Sequence, residues 1–159
     1  ESRKLEPEII KLDPAIQNIL KLFEPSARKK GIKFNRIDCE SVNAYINKDI
    51  FESVFRNINS NAVKFSNVDS HVDIECKTMD SGIDVSVRDY GTGMPEDKLK
   101  QLLNKKYLES RPGTSNEKGS GIGLAISIEL LDLFNSSLDI ISEVGVGTTV
   151  TIKMPEVND

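Results

Sequence analysis

From Phe51 onward the apolar positions Phe51, Val54, Phe55, Ile58, Ala62 and Phe65 recur three and four apart, the spacing of one buried stripe on a helix. An earlier helix carries Ile16, Ile19, Leu20, Phe23 and Ala27. Asp13-Pro14 reads as its N-cap with proline at the first helical position, Pro25 predicts a kink, and Gly31 ends it. The stretches VDIEC and IDVSV each alternate apolar with polar residues, and MDSGID joins them as a hairpin. IKFNRI and Asn43 to Ile46 read as shorter strands, PEDKLKQLL as a short helix, and SLDIIS and TVTIKM as two strands linked by the turn EVGVGT. NKKYLESRPGTSNEKGS is polar and aperiodic, which predicts a loop. Directly after it, GSGIGLAISIELLDLF passes from glycines into an apolar helix. Strand pairs between long helices predict an α/β (α+β) two-layer sandwich, a mixed sheet with helices on one face and water on the other. No segment repeats, so residues 1–159 are expected to form one domain.

Composition narrows the function classes. The 159 residues are 38% hydrophobic and 29% charged, an ordinary globular balance. At this length about two-thirds of the unfolded surface can be buried without staples. The net charge of −4 speaks against a nucleic-acid reader, which needs a basic footprint. No apolar run reaches the roughly 20 residues that span a bilayer, and no signal peptide precedes the first element. Cys39 and Cys76 are too few and too far apart in sequence for a zinc pattern or a disulfide framework, which predicts a reducing, cytoplasmic setting. The opening on charged residues without Met suggests a piece of a longer chain.

Glycines before a helix raise the question of phosphate binding. The dinucleotide fingerprint needs its glycines straight after a buried strand, and the Walker pattern needs Lys-Ser/Thr after the last glycine. Here Gly119, Gly121 and Gly123 follow a hydrophilic loop and lead into Leu124-Ala125, so both schemes fail. What remains is general: close backbone approach, and a helix start offering unpaired N–H groups to an anion. The same glycines could equally just end a loop.

Two further stretches bear on that choice. On the helix that begins near Phe51, Asn57, Asn61 and Lys64 fall on one narrow stripe beside the apolar face. A solvated flank accounts for Lys64 and Asn59 but poorly for amides at a core edge, which need partners. An amide oxygen suits Mg²⁺, which keeps waters and phosphate oxygens in its other positions. In IDVSVRD, Asp89 shares parity with Ile83, Val85 and Val87, so its carboxylate points at the core and needs donors. The amino group of adenine supplies one, whereas the oxygen of guanine would be repelled. Gly91 and Gly93 follow, clearing side chains where a flat ligand could lie. A turn-capping aspartate is the alternative for Asp89 taken alone.

Together, NINSNAVKFS, DYGTGMP, GSGIGLAI and GVGTTVTI resemble, in order and spacing, the N box and glycine motifs of the catalytic ATP-binding domain of two-component sensor histidine kinases. That domain is of the Bergerat type shared with gyrase, Hsp90 and MutL, and the resemblance runs from about Leu5 to Met154. It implies ATP held between helices and sheet, with residues 104–120 as a lid. By position, Asp89 would bind the adenine amino group, Gly91 and Gly93 would shape the floor, and Phe65 would wall the pocket. Asn61 would be the first Mg²⁺ ligand, Asn57 would support metal or phosphate, and Lys64 would reach phosphate. Gly119, Gly121 and Gly123, with Ile122 and Leu124 at the helix start, would hold the outer phosphates, and Arg111 and Lys118 would be lid cations. Gly145 and Gly147 fit a hairpin turn better than a ligand.

The resemblance also implies partners: a dimerisation domain carrying the acceptor histidine upstream, a response regulator downstream, and a parent that is a homodimer and can be membrane-anchored. This piece is expected to be monomeric and to touch neither membrane nor nucleic acid. Gyrase-like relatives place a water-activating glutamate where Asn57 stands, and an amide cannot act as general base. Glu52 lies too far around the helix to replace it, so phosphoryl transfer to a protein is favoured over hydrolysis. Leu103 replaces a phenylalanine common in the family. His71, the single histidine, reads as an ordinary surface residue. Rival readings are a Ser/Thr kinase of the anti-sigma type, a non-catalytic nucleotide-sensing module and a gyrase- or chaperone-like ATPase.

Overall fold

The computed structural model describes residues 5–103 and 122–155. In chain order these form β1 (Glu8–Lys11), α1 (Leu12–Lys30), β2 (Lys33–Ile37), β3 (Asn43–Ile46), α2 (Lys48–Phe65), β4 (His71–Met79), β5 (Gly82–Asp89), α3 (Glu96–Leu103), α4 (Ile122–Asp132), β6 (Ser137–Glu143) and β7 (Gly147–Pro155). Five strands make one mixed sheet in the order β2-β4-β5-β7-β6; β2 and β4 run parallel and every other pair is antiparallel.

The stripe of α2 is the centre of the core. Phe51, Val54, Phe55 and Ile58 are buried, and the two rings stack 5.6 Å apart. They face the inward residues of the sheet, among them Val72, Ile74, Val85, Val87 and Ile152. The opposite face is wet and polar, with Ser86 and Thr151 sharing a hydrogen bond of 2.9 Å. A mixed sheet with its helices on one side is therefore what the alternation implied.

Three details differ from the sequence reading. The strand β3 leaves the main sheet and pairs antiparallel with β1, an element the sequence pattern did not suggest. The first helix starts at Leu12 with Lys11 as N-cap and no side-chain cap. Asp13 lies inside the first turn instead, where its carboxylate takes hydrogen bonds from Gln17 and Arg36. As the sequence reading has it, Pro25 lies inside this helix and Gly31, at φ 75°, ends it.

The third concerns the cysteines. Though distant in sequence, Cys39 and Cys76 meet in the core with their sulfurs 2.6 Å apart. Cys76 donates its S–H to Cys39, which lowers the Cys39 thiol and raises that of Cys76. Among the described residues no helix is long and apolar enough to cross a membrane.

Candidate functional site

α2 opens on Asn47, whose side chain accepts from the Ile50 N–H, and this fixes the helix phase. In that phase Asn57 and Asn61 are half-buried beside the apolar stripe and Lys64 is exposed, as the helical spacing predicts. Asn59 was read as a tolerable solvated residue and is not: it is 0% exposed. Its amide donates to the Phe55 carbonyl at 2.8 Å, while its Oδ1 has no partner among the described residues.

Asp89 ends β5 opposite Thr148 of β7, and strand parity turns it inward to 6% exposure. Its Oδ1 accepts from the backbone N–H groups of Gly91 (3.0 Å) and Thr148 (3.2 Å). Among the described residues its Oδ2 has no hydrogen-bond partner. Burial raises the carboxyl above the usual aspartate range, and the two N–H donors offset only part of that.

This carboxylate looks into a recess of about 490 Å³, counting the part open to solvent, between α2, β5 and β7. Phe65, Val87, Met94, Leu124 and Val150 give it apolar walls, and Asn61 is the amide on its α2 side. The acid and the Asn61 amide thus line one and the same recess. Among the described residues the Asn61 amide makes no hydrogen bond. Two ammonium groups flank the Phe65 ring, Lys64 at 5.2 Å and Lys98 at 5.7 Å from its centroid.

Asn57 stands apart from the recess lining. Its Nδ2 reaches the Ser127 hydroxyl of α4 at 3.4 Å. A Cβ on Gly123 would lie 2.1 Å from that same Nδ2, so the glycine is what lets the first turn of α4 close on the amide. Leu124, the next residue, is buried and lines the recess. Ile122 opens α4, whereas Arg111, Lys118, Gly119, Gly121 and the whole 104–120 stretch lie outside the described residues.

The remaining glycines have neighbours the sequence did not suggest. A Cβ on Gly91 would meet the Phe65 carbonyl oxygen at 1.9 Å, and one on Gly93 (φ 66°) the Glu143 carbonyl at the same distance. Both admit a backbone contact rather than simply clearing ligand space, although Gly93 also borders the recess. Thr92 between them donates its N–H to Phe65 O and accepts from Gly145 N–H. Gly145, at φ 79° with open space around it, serves the β6–β7 turn.

Sequence reasoning missed Thr148, Met94 and Lys98. Thr148 acts on Asp89 through its backbone N–H, which no side-chain pattern reveals. Met94 and Lys98 belong to a glycine loop and a short helix whose docking is tertiary. His71 lies away from the recess: half-exposed, it sits 3.8 Å from Asp73, and its ring lies tilted by 40° against that of Tyr90 with centroids 4.4 Å apart.

Comparisons with known proteins agree with this architecture. The sequence profile of the family described as histidine kinase-, DNA gyrase B- and HSP90-like ATPase matches residues 46–158. The histidine protein kinase SaeS of Staphylococcus aureus is 30% identical over 152 residues, covering 93% of this chain and 43% of SaeS. The chain therefore spans less than half the length of the curated relatives it matches. The nucleotide-free catalytic domain of histidine kinase ThkA superposes with a TM-score of 0.80 at 22% identity, covering 95% of this chain and 96% of that one. Full-length ShkA in complex with AMPPNP superposes with a TM-score of 0.79 at 20% identity, covering 100% of this chain and 33% of ShkA. At these identities the structural likeness establishes the fold, and the profile match establishes the lineage: the chain belongs to the histidine kinase-, DNA gyrase B- and HSP90-like ATPase family.

Proposed function

We propose that the recess binds ATP, and that the chain supplies the catalytic half of histidine autophosphorylation in a two-component sensor kinase. The γ-phosphoryl group would go to a histidine on a separate dimerisation domain. One observation carries the reading: Asp89 has one oxygen held by two N–H groups and the other without a partner among the described residues, inside an apolar recess. A buried carboxylate so arranged accepts a hydrogen bond from a flat heterocycle bearing an amino group. SaeS, named a histidine protein kinase, and ShkA, crystallised with AMPPNP, support the same assignment.

Asn61 fits a role with Mg²⁺, because it offers a hard amide oxygen at the recess with no competing bond among the described residues. Among the described residues no group of three or more His, Cys, Asp or Glu could hold a metal. A cation here would take the rest of its shell from phosphate oxygens and water, and would neutralise phosphate charge. Lys64 and Lys98 stand at the same rim with their positive charges. Asn57 has no basic atom at neutral pH; through Ser127 and Gly123 it holds the start of α4 against α2. The site thus lacks a water-activating carboxylate at this position, which favours transfer to a protein acceptor.

The test incubates the chain with γ-labelled ATP and a separately produced dimerisation domain carrying a histidine. Label that appears on that domain and is lost in acid supports the assignment. Acid-stable label would point to Ser/Thr phosphorylation, and steady phosphate release without transfer to an ATPase.

A further inference from the structure

The β6–β7 hairpin carries a hydroxyl that touches two walls of the recess without lining it. Ser142 of β6 is half-buried, and its Oγ accepts the Met94 N–H at 2.8 Å. The same Oγ shares a hydrogen bond of 2.7 Å with the Thr148 hydroxyl and lies 3.4 Å from the Gly147 carbonyl. Met94 and Thr148 both line the recess, and Thr148 N–H is one of the two donors that hold Asp89. The other donor, Gly91 N–H, belongs to the loop whose far end is Met94. One serine therefore closes a ring that runs from the Asp89 carboxylate along the 91–94 loop, across to β6 and back through Thr148.

The ties on that loop are unequally placed. Thr92 is fastened twice by backbone bonds, to Phe65 and to Gly145. Among the described residues the Met94 N–H is held by Ser142 alone, and Met94 lies two residues before the start of α3. Without the hydroxyl, a half-buried N–H loses its acceptor and the Met94 side chain loses the anchor that sets its height above the recess.

We propose that Ser142 is a positioning residue for the nucleotide base, fixing Met94 against the recess and, through its hydroxyl, Thr148, whose N–H holds Asp89. This rests on the reading of the recess as an adenine site. Among the described residues Ser142 hydrogen-bonds only Met94, Gly147 and Thr148, on the Asp89 side of the recess, so its influence is expected on the base. Ser142→Ala should weaken adenosine and ATP by the same factor, roughly five- to twentyfold. Ser142→Thr, which retains the hydroxyl, should restore affinity.

The experiment is calorimetric titration of adenosine and of Mg-ATP into the wild-type chain, Ser142→Ala and Ser142→Thr, each first shown to be folded by its melting transition. Equal loss for both ligands with rescue by threonine supports the proposal. Wild-type affinity in folded Ser142→Ala, a loss confined to ATP, or a failure of threonine to rescue overturns it. A wild-type chain that binds neither ligand would instead sink the adenine reading itself, which separates the two failures.

Discussion

Replacing Asp89 by asparagine separates binding from folding in a way the geometry makes quantitative. In Asp89→Asn the side-chain oxygen can still accept from Gly91 and Thr148 N–H, so the strand-end turn keeps both its bonds. The second oxygen becomes an NH₂ donor, which faces the amino group of adenine donor to donor. A hydrogen bond to a charged group is worth about 1.5–3 kcal/mol, so ATP affinity should fall roughly ten- to hundredfold.

Stability should move the other way. Burial raises the folded-state pKa of Asp89 above its value in the unfolded chain. The stability this group contributes is therefore full below the unfolded pKa and is lost as pH rises through the raised folded value. The variant does not titrate at this position. Its melting temperature relative to wild type should accordingly climb from mildly acidic pH toward neutrality and level off above the folded pKa of Asp89. Calorimetry for affinity, with thermal melts across pH 3–8 (roughly the carboxylate range), reads both effects. Unchanged ATP affinity in the folded variant would falsify the role of Asp89, and a stability difference independent of pH would show that its carboxylate is not strained by burial.

Three other perturbations follow from the same contacts. Asn61→Ala should leave adenosine affinity near wild type while removing the enhancement of ATP binding by Mg²⁺; equal enhancement in both proteins, measured by titration with and without the metal, would remove Asn61 from the metal site. Gly91→Ala forces a Cβ onto the Phe65 carbonyl, a backbone atom 1.9 Å away, and should destabilise the fold by about 1–3 kcal/mol or more in denaturant unfolding, whereas a wild-type midpoint would show that the loop gives way freely. Asn59→Leu replaces a buried amide, whose oxygen has no partner among the described residues, by a side chain of the same branched shape, so its melting temperature should match or exceed that of the wild type; a drop of several degrees would mean the oxygen has a partner such as a bound water.

Much of this was legible in the chain because its strongest signals are periodic. The α2 stripe, the β4–β5 hairpin and the parity of Asp89 each follow from one repeat distance, and those three features bring acid and Asn61 amide together. β1 escaped because four residues, EIIK, with only Ile10 buried cannot establish an alternation. Asn59 escaped because its angle on the helix places it beside Val63, a face that α1 covers only in the folded state. Gly91 and Gly93 were identified as necessary gaps, but which atoms fill the neighbourhood depends on where Phe65 and Glu143 arrive in space. The meeting of Cys39 with Cys76 and the bond from Ser142 to Met94 are likewise products of packing between remote segments.

The central claim is that this recess receives an adenine nucleotide on Asp89. Amide chemical-shift titration of the isotopically labelled chain with Mg-ATP and with Mg-GTP tests it most directly. Saturable shifts with ATP that cluster at Asp89, Gly91, Met94 and Thr148, with much weaker response to GTP, are the expected result. Saturating ATP that moves resonances elsewhere and leaves these four in place would contradict it.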